Sequence, residues 1–184
     1  GRSTNKGVDV DVLFAATHTT QLSARVAYLD AVYDDLHFVT AAPRDNFGCP
    51  FTLTGAVSGG QPVKDFNCSG KPAVFSPKYT VNAGIDQTFP IGRFDLVASV
   101  ATSWRDEQWG AVEYIVHEYI KSYSSTDATL ELHPQGGGSW SVAVFGRNLE
   151  DKHHAITTNA APTGQGMITY GPGATYGVRL QAKF

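Results

Sequence analysis

Seven stretches of this chain alternate apolar and polar residues with a period of two, the pattern of strands whose two faces meet different surroundings. Between Lys6 and Thr17, Val8, Val10, Val12, Phe14 and Ala16 share one face, and Asp9 and Asp11 the other. Leu22, Ala24, Val26 and Tyr28 alternate with Ser23, Arg25 and Ala27. From Tyr79 the apolar positions are Tyr79, Val81, Ala83, Ile85 and Phe89, with Gln87 the exception. Phe94, Leu96, Ala98, Val100 and Trp104 oppose Asp95, Val97, Ser99, Ala101 and Ser103. Ala128, Leu130 and Leu132 alternate with Asp127, Thr129 and Glu131; Trp140, Val142 and Val144 alternate with Ser141, Ala143 and Phe145. Tyr176, Val178, Leu180, Ala182 and Phe184 alternate with Gly177, Arg179, Gln181 and Lys183.

A soluble β-sandwich also alternates, so length and connections must separate the folds. At roughly ten residues each, the stretches match the nine to eleven that a strand tilted across a bilayer needs, not the five to six of soluble strands. The connections run short, long, short, long, short, long. His18 to Thr20, Pro90 to Arg93 and Pro134 to Ser139 are short; Asp34 to Pro77, Arg105 to about Ser122 and Glu150 to about Ala174 are long. Outer-membrane barrels show this asymmetry between periplasmic turns and extracellular loops.

Composition excludes other classes. Among 184 residues, 42% are hydrophobic, too many for a disordered chain. The longest apolar run, Val12 to Ala16, is too short for a transmembrane helix. A net charge of −3 offers no basic field for nucleic acid. The two cysteines cannot make a disulfide-dense scaffold. The chain opens on Gly1 without Met or a signal peptide, so it is expected to be the tail of something longer.

Aromatic residues mark both ends of the strands. Phe14, Phe89, Phe94, Trp140 and Phe184 lie at the short-turn end, and Tyr79, Trp104 and Tyr176 at the other, as two interfacial girdles would. Seven is odd, whereas bacterial outer-membrane barrels close with an even count. An open sheet in lipid leaves its edges unpaired. The expectation is therefore an all-β, antiparallel, up-and-down transmembrane β-barrel segment, about seven strands of a larger barrel. With a periplasmic C-terminus, every short turn is periplasmic and every long loop extracellular.

Four stretches resemble the C-terminal part of a TonB-dependent outer-membrane receptor. Lys6-Gly7-Val8-Asp9-Val10-Asp11 resembles the family's "KGVE" strand start, followed by Leu22-Ser23-Ala24. Tyr28-Leu29-Asp30-Ala31-Val32-Tyr33-Asp34-Asp35 resembles its "YLDAxYDD" strand exit. Ser76 to Gly84 resembles "APKWTANLG", and Trp140 to Asp151, with its Gly146-Arg147-Asn148-Leu149-Glu150-Asp151, resembles "WELSLWGRNLTDE". Tyr176 to Phe184 is similar to the family's terminal strand. The likeness is poorest from Gln108 to Ser124.

The resemblance implies a 22-stranded barrel of which residues 1–184 are the C-terminal segment. It also implies an N-terminal plug, which this chain lacks, through which the TonB system would supply energy. The implied partners are an extracellular small-molecule ligand such as a ferric siderophore, outer-membrane lipid and the barrel-assembly machinery. No cofactor or metal is implied. Tyr176, Val178, Leu180 and Phe184 resemble the assembly signal, an edge strand ready for strand addition; they equally suit an ordinary last strand in lipid.

Cys49 and Cys68 fall in the first long loop. A disulfide would close a 20-residue loop in a compartment that permits one; two free thiols are the alternative. His153 and His154 could bind a metal or an iron chelate, but adjacent side chains of an extended chain diverge, which favours solvated loop residues. The loop rings Phe47, Phe51, Phe66, Trp109, Tyr114 and Tyr119 could stack on a ligand or bury one another. Arg25, Asp86, Asp95, Asp127, Glu131, Arg147 and Arg179 share the polar face, where ion-paired ladders or plug contacts are expected rather than a catalytic pair.

Three functions compete: a receptor-transporter fragment, a soluble β domain that binds or catalyses, and a passive porin segment. No nucleophile–base set, Gly-x-Ser-x-Gly or His-Glu-x-x-His occurs, so no enzyme is expected. Uptake of an iron-siderophore follows from the resemblance.

Overall fold

The computed structural model describes residues 1–41, 47–136, 138–160 and 166–183, so Phe184 lies outside the described residues. The strands are β1 (Arg2–Ala15), β2 (Thr20–Asp35), β3 (His37–Ala41), β4 (Phe51–Ser58), β5 (Gln61–Asn67), β6 (Tyr79–Ile91) and β7 (Phe94–Arg105). There follow β8 (Gln108–Trp109), a 3-10 turn (Val116–Glu118), β9 (Tyr119–Ile120), β10 (Tyr123–Pro134), β11 (Trp140–Arg147), β12 (Ala155–Ala160), β13 (Gly166–Tyr170) and β14 (Thr175–Ala182). β1, β2, β6, β7, β10, β11 and β14 make one seven-stranded antiparallel sheet, in that order. Each long strand pairs with the next long strand in the chain, an up-and-down meander. This is the barrel segment that the alternation predicts.

Register carries the alternation from strand to strand. Directly opposed residues share a face, and one row reads Phe14, Leu22, Ile85, Val100, Ala128, Gly146 and Tyr176. A second row reads Phe89, Leu96, Leu132, Val142 and Leu180. This apolar face has no protein against it: Val178 is 66% and Leu180 76% exposed. A one-residue slip would turn the whole set over, so each pairing enforces the next. Ring pairs stand at both ends of the face, Phe94 with Trp140 (5.7 Å) at the short turns and Tyr28 with Tyr79 (5.3 Å) at the long loops.

The opposite face is polar and internally paired. Arg25 binds Asp9 through two nitrogens and lies 3.6 Å from Asp11. Arg179 donates to Glu131 at 2.9 Å, and the Ser99 hydroxyl donates to Asp86 at 2.5 Å. Phe145 lies flat over Gly177, where a Cβ would come within 2.6 Å of its ring. The tight turn between β6 and β7 needs glycine: Gly92 has φ +60° at the first position of a two-residue loop, as a type II′ hairpin requires.

Two features depart from the sequence expectation. β2 continues to Asp35, pairing with β1 beyond its last partner on β6, Tyr28 with Tyr79. Both sides of this extension meet protein or water, so period-two polarity no longer marks it. The long connections also hold strands of their own: a β3-β5-β4 sheet in the first, a β8–β9 pair in the second and a β12–β13 hairpin in the third.

The largest buried cluster lies in these loops, not in the main sheet. Cys49, Phe66, Cys68 and Tyr114 form its centre, with Tyr33, Leu36, Phe38, Phe47, Phe51 and Trp109 around it. Cys49 and Cys68 are joined as a disulfide with Cα atoms 5.2 Å apart. Phe66 touches the rings of Phe38, Phe47 and Phe51 at 5.2, 4.7 and 5.4 Å. The bridge crosses a sequence separation of 19 residues, which the chain-entropy view values at about 3 kcal/mol. Replacing both cysteines by serine is therefore expected to speed proteolytic cleavage between residues 47 and 70 by about a hundredfold, while heat-resistant β-structure of the main sheet is retained. Limited proteolysis and circular dichroism check the two halves.

Candidate ligand-binding loop surface

The three long loops are tied to one another at the end of the sheet away from the short turns. The first meets the second at Gly48, whose N–H donates to the Glu113 carbonyl at 2.7 Å. A Cβ at Gly48 would sit 2.3 Å from the Tyr114 carbonyl oxygen, so only glycine allows this approach. The Tyr114 hydroxyl donates to the Pro72 carbonyl at 2.6 Å, and the Phe75 N–H to the Trp109 carbonyl at 2.8 Å. Burial pushes the Tyr114 phenol up, so it stays a protonated donor. The third loop packs on the second just as closely: Thr158 Oγ1 lies 2.3 Å from where a Gly110 Cβ would be.

Glu118 anchors this junction. It is completely buried, and its Oε2 accepts the Ile115 N–H at 3.1 Å while Oε1 has no partner. Its own carbonyl accepts the Gly110 N–H at 2.7 Å. The third loop is rooted by Asn148, whose side-chain amide donates to the carbonyls of Lys152 and Pro172, both at 3.0 Å. Glu150 accepts from the Thr126 N–H at 2.8 Å and hydroxyl at 2.6 Å, bonds that hold its carboxyl below the usual range. None of these three polar residues was singled out by the sequence reading. Asn148 and Glu150 stand in the stretch that resembles the receptor family's, which was the available signal; Glu118 carries no such mark.

The predicted ligand-contact residues separate into groups. Phe66 and Tyr114 are 0% and 4% exposed and lie in the loop core, as the mutual burial that the sequence leaves open would place them. Phe47 and Phe51 lean on Phe66 and are half-buried. Trp109 meets Tyr114 and Tyr119 edge-on at 5.3 and 5.0 Å. His153 is exposed, whereas His154 stacks on the Tyr123 ring at 4.0 Å, with Arg105 6.0 Å from that same ring. Among the described residues no group of three or more His, Cys, Asp and Glu could hold a metal ion. Tyr176, Val178 and Leu180 lie exposed on β14, an outer strand of the sheet.

No protein-family model matches this chain, and no curated protein matches it by sequence. Solved structures do match. The siderophore receptor PiuA from Acinetobacter baumannii superposes on 99% of the chain with a TM-score of 0.68 at 14% identity. The ferric yersiniabactin uptake receptor FyuA from Yersinia pestis does so over 99% with a TM-score of 0.68 at 13% identity. At that identity the likeness is one of fold. The chain spans 22% and 24% of these two receptors, so the shared structure is a barrel fragment resembling part of each.

Burial pushes the Glu118 carboxyl up from about 4.5 to about 7, against the Ile115 N–H, which pulls it down. The packed loops thus keep a proton that an exposed glutamate has lost, and their stability falls as pH rises from about 4.5 through about 7. Hydrogen exchange at the Gly110 amide is expected to show more frequent opening at pH 8 than at pH 5, after correction for intrinsic rates. Glu118→Gln should flatten that dependence, because the amide keeps the acceptor for Ile115 and never ionises.

Proposed function

We propose that this chain is the C-terminal part of an outer-membrane, TonB-dependent receptor that takes up a ferric siderophore. The observation that carries the reading is the match of nearly the whole chain to two receptors for such ligands. Three features support it. The exposed apolar face suits lipid, while the opposite face keeps its charges paired, as a barrel interior does. The disulfide suits loops outside the cell. The exposed edge strand β14, with Tyr176, Val178 and Leu180, suits recognition by the barrel-assembly machinery through strand addition. On this reading the C-terminus and the short turns are periplasmic. The protein binds and passes on its ligand and catalyses no reaction; the coupling to TonB runs through a plug outside these residues.

The uptake reading is tested in a strain lacking the gene. Uptake of iron-55 bound to siderophores from the organism's own spent medium should fall at least tenfold. Unchanged iron uptake would sink the choice of ligand. The membrane reading has its own test. Leu130→Arg puts a cation on the apolar face and should cost about 2–4 kcal/mol of folding free energy in lipid vesicles. Ser99→Arg, on the other face beside Asp86, should change it by only about 0.5 kcal/mol. Equal costs for the two variants would argue against a lipid-facing sheet.

A further inference from the structure

Among the described residues, four other than glycine have positive φ: Phe75 (+53°), Tyr114 (+52°), Asn148 (+50°) and Asp151 (+51°). Asn and Asp tolerate this region because a short polar side chain can bond locally; a bulky ring has no such compensation for the Cβ pressed toward its carbonyl. Phe75 stands in a turn with Val74, where a positive φ is normally supplied by glycine or asparagine. Its ring is 48% exposed, so burial offsets little of the cost. Tyr114 follows a turn at Val112 and Glu113 and is almost fully buried.

Each of these two strained residues is held by the other's loop. Phe75, in the first long loop, donates its N–H to the Trp109 carbonyl of the second at 2.8 Å. Tyr114, in the second, donates its hydroxyl to the Pro72 carbonyl of the first at 2.6 Å. The Gly48 N–H closes the same contact on the Glu113 carbonyl, one residue before Tyr114. Strain of this kind persists only where the surroundings over-determine it, and it gathers at segments that switch. The first-loop side is also fastened to β2: Tyr33 donates its N–H to the Lys71 carbonyl at 3.0 Å, Ala73 to Ala31 at 2.8 Å and Leu29 to Lys78 at 2.9 Å. Residues 109–114 are therefore the side that can leave.

We propose that the contact between the first and second long loops is a sprung clasp with two states. In the closed state Phe75 and Tyr114 are both held at positive φ; in the open state both relax to negative φ and residues 109–114 lift off segment 71–78 in one step. Because each residue's strain is held by a bond from the other loop, losing one bond favours losing the rest, and the contact is bistable rather than graded. Opening also uncovers the Cys49–Cys68 bridge, which shares its buried cluster with Tyr114. The inference goes beyond the uptake reading and stands whatever ligand the cell transports.

The test uses the protein in the longest form its gene encodes, in detergent, with hydrogen exchange read at the amides of Gly48 and of residue 75 and corrected for intrinsic rates. These amides make two separate bonds between the loops, and in the unaltered protein they are expected to open with the same frequency, within a factor of two. Phe75→Gly and Phe75→Ala both remove the ring, but only glycine accepts the positive φ without cost. Both amides should open at least threefold less often in F75G than in F75A. Y114F removes the hydroxyl bond to Pro72 and should raise opening at both amides by the same factor, at least threefold. Circular dichroism of the main sheet verifies that each variant is folded; where F75A is not, F75G is compared with the unaltered protein and the same direction is expected. Equal opening of F75G and F75A shows that no strain is stored, and a change confined to one of the two amides shows that the contact does not open as a unit; either result overturns the proposal.

Discussion

A strand in hydrocarbon has no water to take its N–H and C=O groups, so every one of them must find another strand. The unbroken ladders of the main sheet meet that requirement. β7 pairs with both neighbours along its full length, from Phe94 to Arg105. Once the ladders are set, side-chain direction follows from the pleat, and the chain has only to put apolar residues on alternate positions. The inner face is then free to hold Arg25, Glu131 and Arg179, whose charges are matched across strands rather than buried alone. The sheet rests on its ladders and presents an exposed apolar face in place of a protein core.

The loops solve a different problem. Above the sheet there is water on all sides, and a connection such as residues 36–78 must find its own reason to be ordered. It does so by building a small core around the Cys49–Cys68 bridge and Phe66. Tyr33 and Tyr114 bring β2 and the second loop to that core, and Gly48 and Gly110 let backbones approach where a side chain would collide. Burial raises the Glu118 carboxyl to about 7, which links the order of the packed loops to pH.

How much of this was legible follows from where the physics leaves a periodic trace. The seven long strands were readable because an apolar face on one side and a polar, ion-paired face on the other impose a choice at each residue. The strands β3 to β5 were not, since β4 is exposed from Thr52 onward and the small sheet is held around Phe66 and a cross-link rather than on one long apolar face. The aromatic residues of the loops could be named from the sequence. Which of them face one another could not, because Phe66 and Tyr114 also meet partners far away along the chain, such as Phe51 and Pro72.

Order in the loops also has to be transmitted to the sheet, and the residues from Asn148 to Asp151 show how. Asn148 and Asp151 both adopt positive φ, near +50°, which small polar residues tolerate better than bulky ones. The strained turn is held from both sides of β10. On one side Asp127 accepts the Asn148 N–H at 3.0 Å; on the other Thr126 donates its N–H and hydroxyl to Glu150, and its carbonyl accepts the Leu149 N–H. Adjacent residues of one strand, pointing to opposite faces, thus grip the same short turn. The Asn148 side chain then passes that position on to Lys152 and Pro172, the two ends of the third loop. A loop fastened in this way cannot shift without disturbing β10, so its position is coupled mechanically to the sheet beneath it.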